Sequence, residues 1–114
     1  MSGITTHVLD TARGRPAAGV PVTLCHRAPD GGWVHLADSI TDDDGRARDL
    51  VKDPSTMASG VYRITFDTAT YFASDDIEGF YPEASVVFTV RDPAQHFHVP
   101  LLLSPFGYST YRGS

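Results

Sequence analysis

Three histidines stand where acid–base or metal chemistry is possible. His96 and His98 are two positions apart in the run QHFHVPLLL, and because side chains alternate along a strand they would share one face. Such a pair suits a metal, but zinc takes three or four ligands and the sequence offers no second Cys/His cluster. His7, in ITTHVLD, shares a face with Thr5. Isolated strand histidines are commonly structural, whereas two on outer faces can act as a general base and its partner.

A cation follows a group of carboxylates in TDDDGRARDL. The carboxylate spacing does not fit an EF-hand loop, so a hairpin turn with solvated carboxylates is favoured over a calcium site. Arg46 comes directly after Gly45 and can either reach a site or pair with a neighbouring aspartate; residue types alone favour the ion pair. The single cysteine, Cys25, lies in the apolar run VPVTLC and is predicted to be a half-buried thiol rather than a nucleophile.

The last nine residues, FGYSTYRGS, place an unusual cluster at the end of the chain. Most domains finish in loosely held polar residues, because terminal backbone has little to bury. Here an aromatic ring, a cation and a hydroxyl group follow an apolar run, in Tyr111, Arg112, Gly113 and Ser114. Residue types alone do not say what such a cluster contacts.

Short extended segments separated by turn residues must position these groups. The candidate strands are ITTHVLD (4–10), VPVTLCHRA (20–28), WVHLADSIT (33–41), GRARDL, GVYRITFDT (60–68), EASVVFTV (83–90) and QHFHVPLLL (95–103). Only DTATYFASDD (67–76) has helical character, with Asp67 or Thr68 able to cap its N-terminus. Turn signals about every ten residues predict an all-β sandwich with one short helix.

The strand predicted over residues 95–103 has two different faces. Its core face is fully apolar and consists of Phe97, Val99, Leu101 and Leu103. Its outer face changes from polar to apolar along His96, His98, Pro100 and Leu102. Apolar residues on an outer face indicate a subunit interface. Pro100 cannot donate to a ladder, which predicts an edge or bulge position.

Length and charge restrict the class of protein. The 114 residues predict one domain over 1–114. A formal net charge of −5 argues against a nucleic-acid or anionic-membrane binder, since both need a basic face. No signal peptide, bilayer-spanning run, G-x-S-x-G elbow, phosphate loop or C-x-x-C pair is visible. We expect a soluble cytoplasmic protein, with a periplasmic location open if a signal peptide has been removed.

Three stretches together resemble the transthyretin-like family. They are ITTHVLDTARGRPAAGVPVTL, GVYRITFDTATYF…FYPEASVVFTV and HFHVPLLLSPFGYSTYRGS. The resemblance covers nearly the whole chain in order and spacing, and the final Tyr-Arg-Gly-Ser is similar to the ending of the family's 5-hydroxyisourate hydrolases. The resemblance implies two four-stranded sheets packed as a sandwich, dimers joined edge to edge, and a homotetramer made of two dimers. Its active sites would lie in a central channel where the dimers meet.

The resemblance also implies the site residues. The catalytic positions of the family fall on His7, Arg46, His98 and Ser114. Contacts to the substrate would come from His7, Arg46, Tyr111, Arg112 and Gly113. Transthyretin itself has lysine, glutamate and threonine where this chain has His7, Arg46 and His98, so the chain carries the enzyme's residue at each position.

The implied reaction belongs to urate degradation. Water would open 5-hydroxyisourate at an amide-type carbonyl, giving 2-oxo-4-hydroxy-4-carboxy-5-ureidoimidazoline, with no metal or organic cofactor. His98 and His7 are both candidates to accept and relay the water proton, since an imidazole pKa near 6.5 leaves the ring partly basic at neutral pH. Arg46 would stabilise the developing oxyanion. The tail would be buried at the site, where Ser114 adds a hydroxyl group and an ionised terminal carboxylate.

Two other functions stay open at this point. A transthyretin-style carrier would hold an apolar aromatic ligand in the channel without catalysis. A structural β-protein would bind zinc through His96 and His98.

The roles implied for the tail residues differ. Tyr111 would hydrogen-bond or stack on a substrate ring, whereas Arg112 would contact the substrate or tie the tail to a neighbouring subunit.

Overall fold

The computed structural model describes residues 3–114, which form nine strands and two short helical segments. The strands are β1 (Gly3–Asp10), β2 (Arg15–Pro16), β3 (Pro21–Arg27), β4 (Trp33–Ile40), β5 (Arg46–Ala47), β6 (Gly60–Phe66), β7 (Ala84–Val90), β8 (His96–Ser104) and β9 (Gly107–Thr110). A 3-10 turn spans Pro54–Thr56 and the helix α1 spans Thr68–Ala73. Neither helical segment is long and apolar enough to cross a membrane.

The strands form two sheets, which confirms the predicted sandwich with one short α-helix. One sheet has the order β4-β3-β6-β7 and is antiparallel throughout. The other has the order β2-β1-β8-β9, with β5 also paired to β1. This second sheet contains five strands rather than four, because β2 and β5, of two residues each, both pair with β1. Its central pair, β1 and β8, is parallel.

Period-two alternation places the core between the sheets. In β1 the even-numbered residues are buried and the odd-numbered ones from Thr5 are partly exposed. In β8 the predicted core face is buried, through Phe97, Val99, Leu101 and Leu103. Each such side chain contributes about 1.5–3 kcal/mol by leaving water. The outer faces of β1 and β8 therefore carry the histidines, as the sequence predicts.

The helix predicted over 67–76 is present and shorter, at Thr68–Ala73. Asp67 caps it, because its carboxylate accepts the backbone N–H of Thr70 at 3.1 Å. Tyr71 and Phe72 face the interior and are buried. This packing holds the helix against the sandwich despite its length of six residues.

Pro100 does not mark an edge strand, contrary to one of its two predicted placements. β8 lies inside its sheet, between β1 and β9. The Pro100 carbonyl accepts from Thr110 Oγ1 at 2.7 Å, and the His98 carbonyl accepts from the Gly113 N–H at 2.9 Å. Both bonds lie on the side of β8 that faces β9. Regular pairing with β9 stops at Leu101, and the tail contacts β8 again at His98 through Gly113. Pro100, which has no N–H, lies in the gap between these two contacts. The ladder is interrupted where proline cannot donate.

The turn predicted at DDDG is present, but it does not join a hairpin. The Gly45 N–H donates to the Asp42 carbonyl at 2.8 Å, whereas β4 pairs with β3 and β5 pairs with β1. The preceding Thr41 is buried, and its hydroxyl donates to the Ala17 carbonyl and accepts from the Val20 N–H. These bonds satisfy the buried hydroxyl where the chain leaves one sheet for the other, so the strands flanking the turn are not neighbours.

Candidate active site

Strand register brings the predicted site residues onto one sheet face. His7 of β1 is directly opposite Arg46 of β5, and Thr5 of β1 is opposite His98 of β8. Because residues two apart share a face, the side chains of His7 and Thr5 point to the same side as those of Arg46 and His98. Residues separated by more than 90 positions therefore meet through the parallel pairing of β1 with β8.

A cavity of about 610 Å³ lies against this face. Its lining is Gly3, Ile4, Thr5, Thr6, Arg46, Arg48, Val51, Pro54, His96, His98 and Ser114. These include two guanidinium groups and two imidazoles and no Asp or Glu side chain. In a chain of net charge −5, the side chains that line the cavity are thus basic, and they suit a ligand that is anionic or becomes anionic during reaction.

The turn before β5 holds Arg46 in place. Gly45 has a φ of +76°, and its carbonyl accepts the Val8 N–H at 2.7 Å. The backbone N–H of Arg46 donates to Asp42 Oδ1 at 3.0 Å. The ion pair expected for Arg46 is formed instead by Arg48, whose Nη1 lies 3.2 Å from Asp42 Oδ2. The Asp42 carboxylate thereby fixes the backbone of Arg46 while the Arg46 guanidinium lines the cavity.

The His98 ring is held by a hydrogen bond to Thr5, which also bonds to His96. Its Nδ1 lies 2.8 Å from Thr5 Oγ1, and Nε2 of His96 lies 2.9 Å from the same oxygen. Burial lowers the pKa of His98 below its ordinary value, and the positive charges of Arg46, His7 and His96 lower it further. His98 is therefore held in its neutral form at neutral pH.

His7 lies beside this group without lining the cavity. Its Nε2 is 2.8 Å from the carbonyl oxygen of Asp44, which fixes the ring against the turn before β5. The charge of His7 nevertheless acts on His98, so the two rings are near neighbours.

The C-terminal tail divides between two cavities. The bridge between Gly113 and His98 seats the tail on β8, and Ser114 lines the basic cavity. Tyr111 and Arg112 line a second cavity, of about 320 Å³, which they share with His98. The Arg112 guanidinium carbon lies 4.9 Å from the centre of the Phe97 ring. Within one protomer the structure thus brings Arg46, His98 and Ser114 together and directs Tyr111 and Arg112 elsewhere.

The arrangement of the described residues does not favour the alternatives based on metal or thiol chemistry. Among residues 3–114, no group of three or more His, Cys, Asp or Glu residues could hold a metal ion. The paired rings of His96 and His98 converge on the Thr5 hydroxyl group. Cys25 is buried rather than half-buried, and a buried thiol is typical of a structural residue.

Two further lining residues, Thr5 and Arg48, lie at positions that strand periodicity predicts. Thr5 precedes His7 by two positions, which places its hydroxyl on the histidine face. Arg48 follows Arg46 by two positions and lines the same cavity. The alternation of side chains along a strand places each of them on the same face as a predicted site residue. Threonine is so common in strands, however, that its presence alone indicates no function.

Comparison with known proteins agrees with this geometry. Residues 4–113 match the HIUase/Transthyretin family. A mouse protein named 5-hydroxyisourate hydrolase is 49% identical over 114 residues, covering 99% of this chain and 96% of the relative. The structure of Klebsiella pneumoniae 5-hydroxyisourate hydrolase is 36% identical, with a TM-score of 0.87 and full coverage of both chains. Sea bream transthyretin in complex with thyroxine is 34% identical, with a TM-score of 0.90 over 96% of this chain and 93% of that one. The chain belongs to the HIUase/Transthyretin family.

Proposed function

We propose that this chain hydrolyses 5-hydroxyisourate in urate degradation, with residues 1–114 acting as one hydrolase domain. The names of the mouse and Klebsiella relatives support the reaction, at 49% and 36% identity over nearly whole chains. The observation that carries the proposal is the basic cavity in which Arg46, His98 and Ser114 meet. Its product would be 2-oxo-4-hydroxy-4-carboxy-5-ureidoimidazoline.

The chemistry requires a water activator and a stabiliser for an oxyanion. Water adds to the ring carbonyl carbon, the carbon–nitrogen bond breaks, and the freed nitrogen takes up a proton. The imidazoles of His7 and His98 are the bases available to move that proton. The Arg46 guanidinium would donate to the developing oxyanion, and removal of such a donor costs about 10²–10³ in kcat.

The tail would complete the substrate site. Ser114 lines the basic cavity, and we propose that its hydroxyl group contacts the substrate or the attacking water. Gly113 packs closely on the His98 ring, and we propose that its backbone contacts the substrate. Tyr111 and Arg112 lie in the second cavity of the same protomer, so their proposed contacts to substrate would be made across an interface between copies.

We further propose the homotetramer implied by the family resemblance. β7 and β9 are the last strands of their sheets, and an unpaired strand edge can pair with the same edge of a second copy. Exposed aromatic residues of the loop before β7 contact β9, since the Tyr81 ring lies 5.3 Å from Tyr108 and 4.9 Å from Phe80. Sedimentation equilibrium would measure the assembly, and a monomer at micromolar concentration would contradict it.

A carrier without catalysis is the second candidate, because sea bream transthyretin, solved with thyroxine, superposes closely. A carrier of an apolar aromatic ligand needs an apolar lining, whereas the cavity here presents two arginines and two histidines. Calorimetry with thyroxine would separate the two functions.

The cytoplasmic location stays a prediction that cell fractionation would test.

The deciding experiment is an ultraviolet assay. Urate oxidase generates 5-hydroxyisourate in the cuvette, and its decay is followed with and without the protein. We expect the protein to accelerate the decay. Arg46→Met should lower the catalysed rate about 10²–10³-fold. Arg48→Met is the matched control, because it removes a second guanidinium of the same cavity, one that is paired with the Asp42 carboxylate. An unchanged decay rate with the unmodified protein would refute the hydrolase function.

A further inference from the structure

A single hydroxyl group connects two imidazoles in the site. Thr5 Oγ1 lies 2.8 Å from Nδ1 of His98 and 2.9 Å from Nε2 of His96. A threonine hydroxyl has one hydrogen to donate and lone pairs to accept. The two rings are the hydrogen-bond partners of Thr5 Oγ1 within residues 3–114, so the arrangement that uses the hydroxyl hydrogen there has Thr5 donating to one neutral ring and accepting an N–H from the other. The tautomers of His96 and His98 are coupled through Thr5.

Burial around His96 decides the direction of this relay. Nδ1 of His96 is buried and has no hydrogen-bond partner within residues 3–114. If Thr5 donated to Nε2, the neutral ring would carry its hydrogen on Nδ1, leaving a buried N–H without an acceptor. The reverse direction leaves only an unused lone pair, which is the less unfavourable defect. His96 therefore donates from Nε2 to Thr5, and Thr5 donates to Nδ1 of His98.

The tautomer of His98 follows, and that of His7 is fixed independently. Because Nδ1 of His98 accepts, its ring hydrogen is on Nε2. Nε2 of His7 lies 2.8 Å from the Asp44 carbonyl oxygen, and a carbonyl can only accept. His7 therefore carries its hydrogen on Nε2 and has a bare Nδ1. The two imidazoles have different free nitrogens: a hydrogen-bond donor on His98 and an acceptor on His7.

We propose that Thr5 and His96 are positioning residues that hold His98 as a neutral hydrogen-bond donor and so leave His7 as the base. This assignment rests on the proposed hydrolysis. Nδ1 of His7 accepts a proton as water forms its bond to the carbonyl carbon. His98 Nε2–H and Arg46 donate to the oxyanion. The His7 imidazolium then returns the proton to the ring nitrogen as the carbon–nitrogen bond breaks, which restores neutral His7 and consumes one water.

Nitrogen-15 NMR of the histidine-labelled full chain tests the tautomers without any substrate. At pH 8 we expect His98, His96 and His7 all to carry hydrogen on Nε2. Thr5→Val, which keeps the β-branched shape, should give His98 a mixture of tautomers and lower kcat about tenfold with KM within about twofold; a tenfold change equals about 1.4 kcal/mol. Thr5→Ser keeps the hydroxyl and should restore both readouts.

Thr65→Val is the matched control, since Thr65 bonds to Ser85 on the other sheet and its loss should change neither readout. A His98 hydrogen on Nδ1 in the unmodified protein would overturn the relay, as would an unchanged His98 spectrum in Thr5→Val. These outcomes are separable from failure of the proposed function. If the tautomers are as assigned but 5-hydroxyisourate is not turned over, the tautomer relay stands and the hydrolase function is refuted.

Discussion

The backbone N–H of Gly113 donates to the carbonyl oxygen of His98 at 2.9 Å. This bond brings the tail directly against the imidazole that it helps to enclose. A Cβ atom at Gly113 would lie 2.5 Å from His98 Cδ2 and 3.2 Å from Cγ. Glycine is therefore required here by the close approach of a ring.

Replacing Gly113 by alanine should move either the tail or the His98 ring. We expect Gly113→Ala to lower kcat at least tenfold, about 1.4 kcal/mol in the barrier, while the folded structure persists. Turnover of 5-hydroxyisourate and circular dichroism would measure the two effects. Gly107→Ala is the matched control, since the nearest atom to its Cβ would be Ser104 Oγ at 3.8 Å. Equal turnover in the two variants would show that the tail contact has no role in the reaction.

The turn that holds Arg46 depends on a second glycine. Gly45 has a φ of +76°, and a Cβ atom there would overlap the carbonyl oxygen of Val8. Gly14 has a similar φ of +68° with nothing within 4 Å of such a Cβ. Gly14→Ala should cost only the left-handed backbone, about 1–2 kcal/mol. We expect Gly45→Ala to cost clearly more and to lower turnover, because Arg46 would shift.

Urea unfolding of the two variants measures this difference directly. Because the φ angles of the two glycines are alike, the difference in unfolding free energy isolates the steric overlap with β1. Equal losses in the two variants would contradict a tight contact between Gly45 and Val8.

Local patterns predicted the strands and their faces, but not which strands are neighbours. Alternation in β1 and β8 placed His7 and His98 on outer faces, as the structure has them. The parallel pairing of those strands joins residues more than 90 positions apart, and no local pattern specifies such a contact. The site residues were predicted through family resemblance for this reason.

The wrong hairpin at DDDG has the same origin. A tight turn between two extended segments predicts a hairpin. Here the chain changes sheets at the turn, where buried Thr41 bonds to Ala17 and Val20.

The sequence did not predict the relay through Thr5, because threonine is an ordinary strand residue. Its role exists only once His96 and His98 are placed beside it.

The acid–base behaviour of His98 should report its surroundings. Burial lowers its pKa, and the charges of Arg46, His7 and His96, which face it, lower the pKa further. We expect the NMR titration midpoint of His98 to lie below about 6.5, the ordinary value. Arg46→Met should raise that midpoint, because a positive neighbour is removed. Arg48→Met is the control, since Arg48 lines the cavity but is not among the charges acting on His98.

The sign of the stability effect follows from the same shift. Because the pKa of His98 is lower in the folded state, the unfolded state binds protons first as the pH falls. The stability contribution of His98 is complete above about pH 6.5 and is lost as the pH falls through the folded pKa. A His98 midpoint above 6.5 would contradict both its burial and its charged neighbours.

A buried hydrogen bond between a tyrosine and a carboxylate should contribute to stability at the other end of β1. Tyr71 Oη donates to Asp10 Oδ2 at 2.6 Å, and Asp10 is 1% exposed. Tyr71→Phe leaves that carboxylate without this donor, which should cost about 1–3 kcal/mol at pH 7. Tyr108→Phe is the control, because its exposed ring keeps its contact with Tyr81. Urea unfolding measures both variants.

The same bond predicts the alkaline limit of stability. Burial, and then the Asp10 carboxylate, raise the pKa of Tyr71 from 10.0 to about 12. A raised folded pKa means that the contribution of Tyr71 is complete below about pH 10 and is lost as the pH rises toward 12. The fall in unfolding free energy across that range should therefore be shallower in Tyr71→Phe than in the unmodified protein. Parallel curves would show that ionisation of the Tyr71 hydroxyl is not linked to folding.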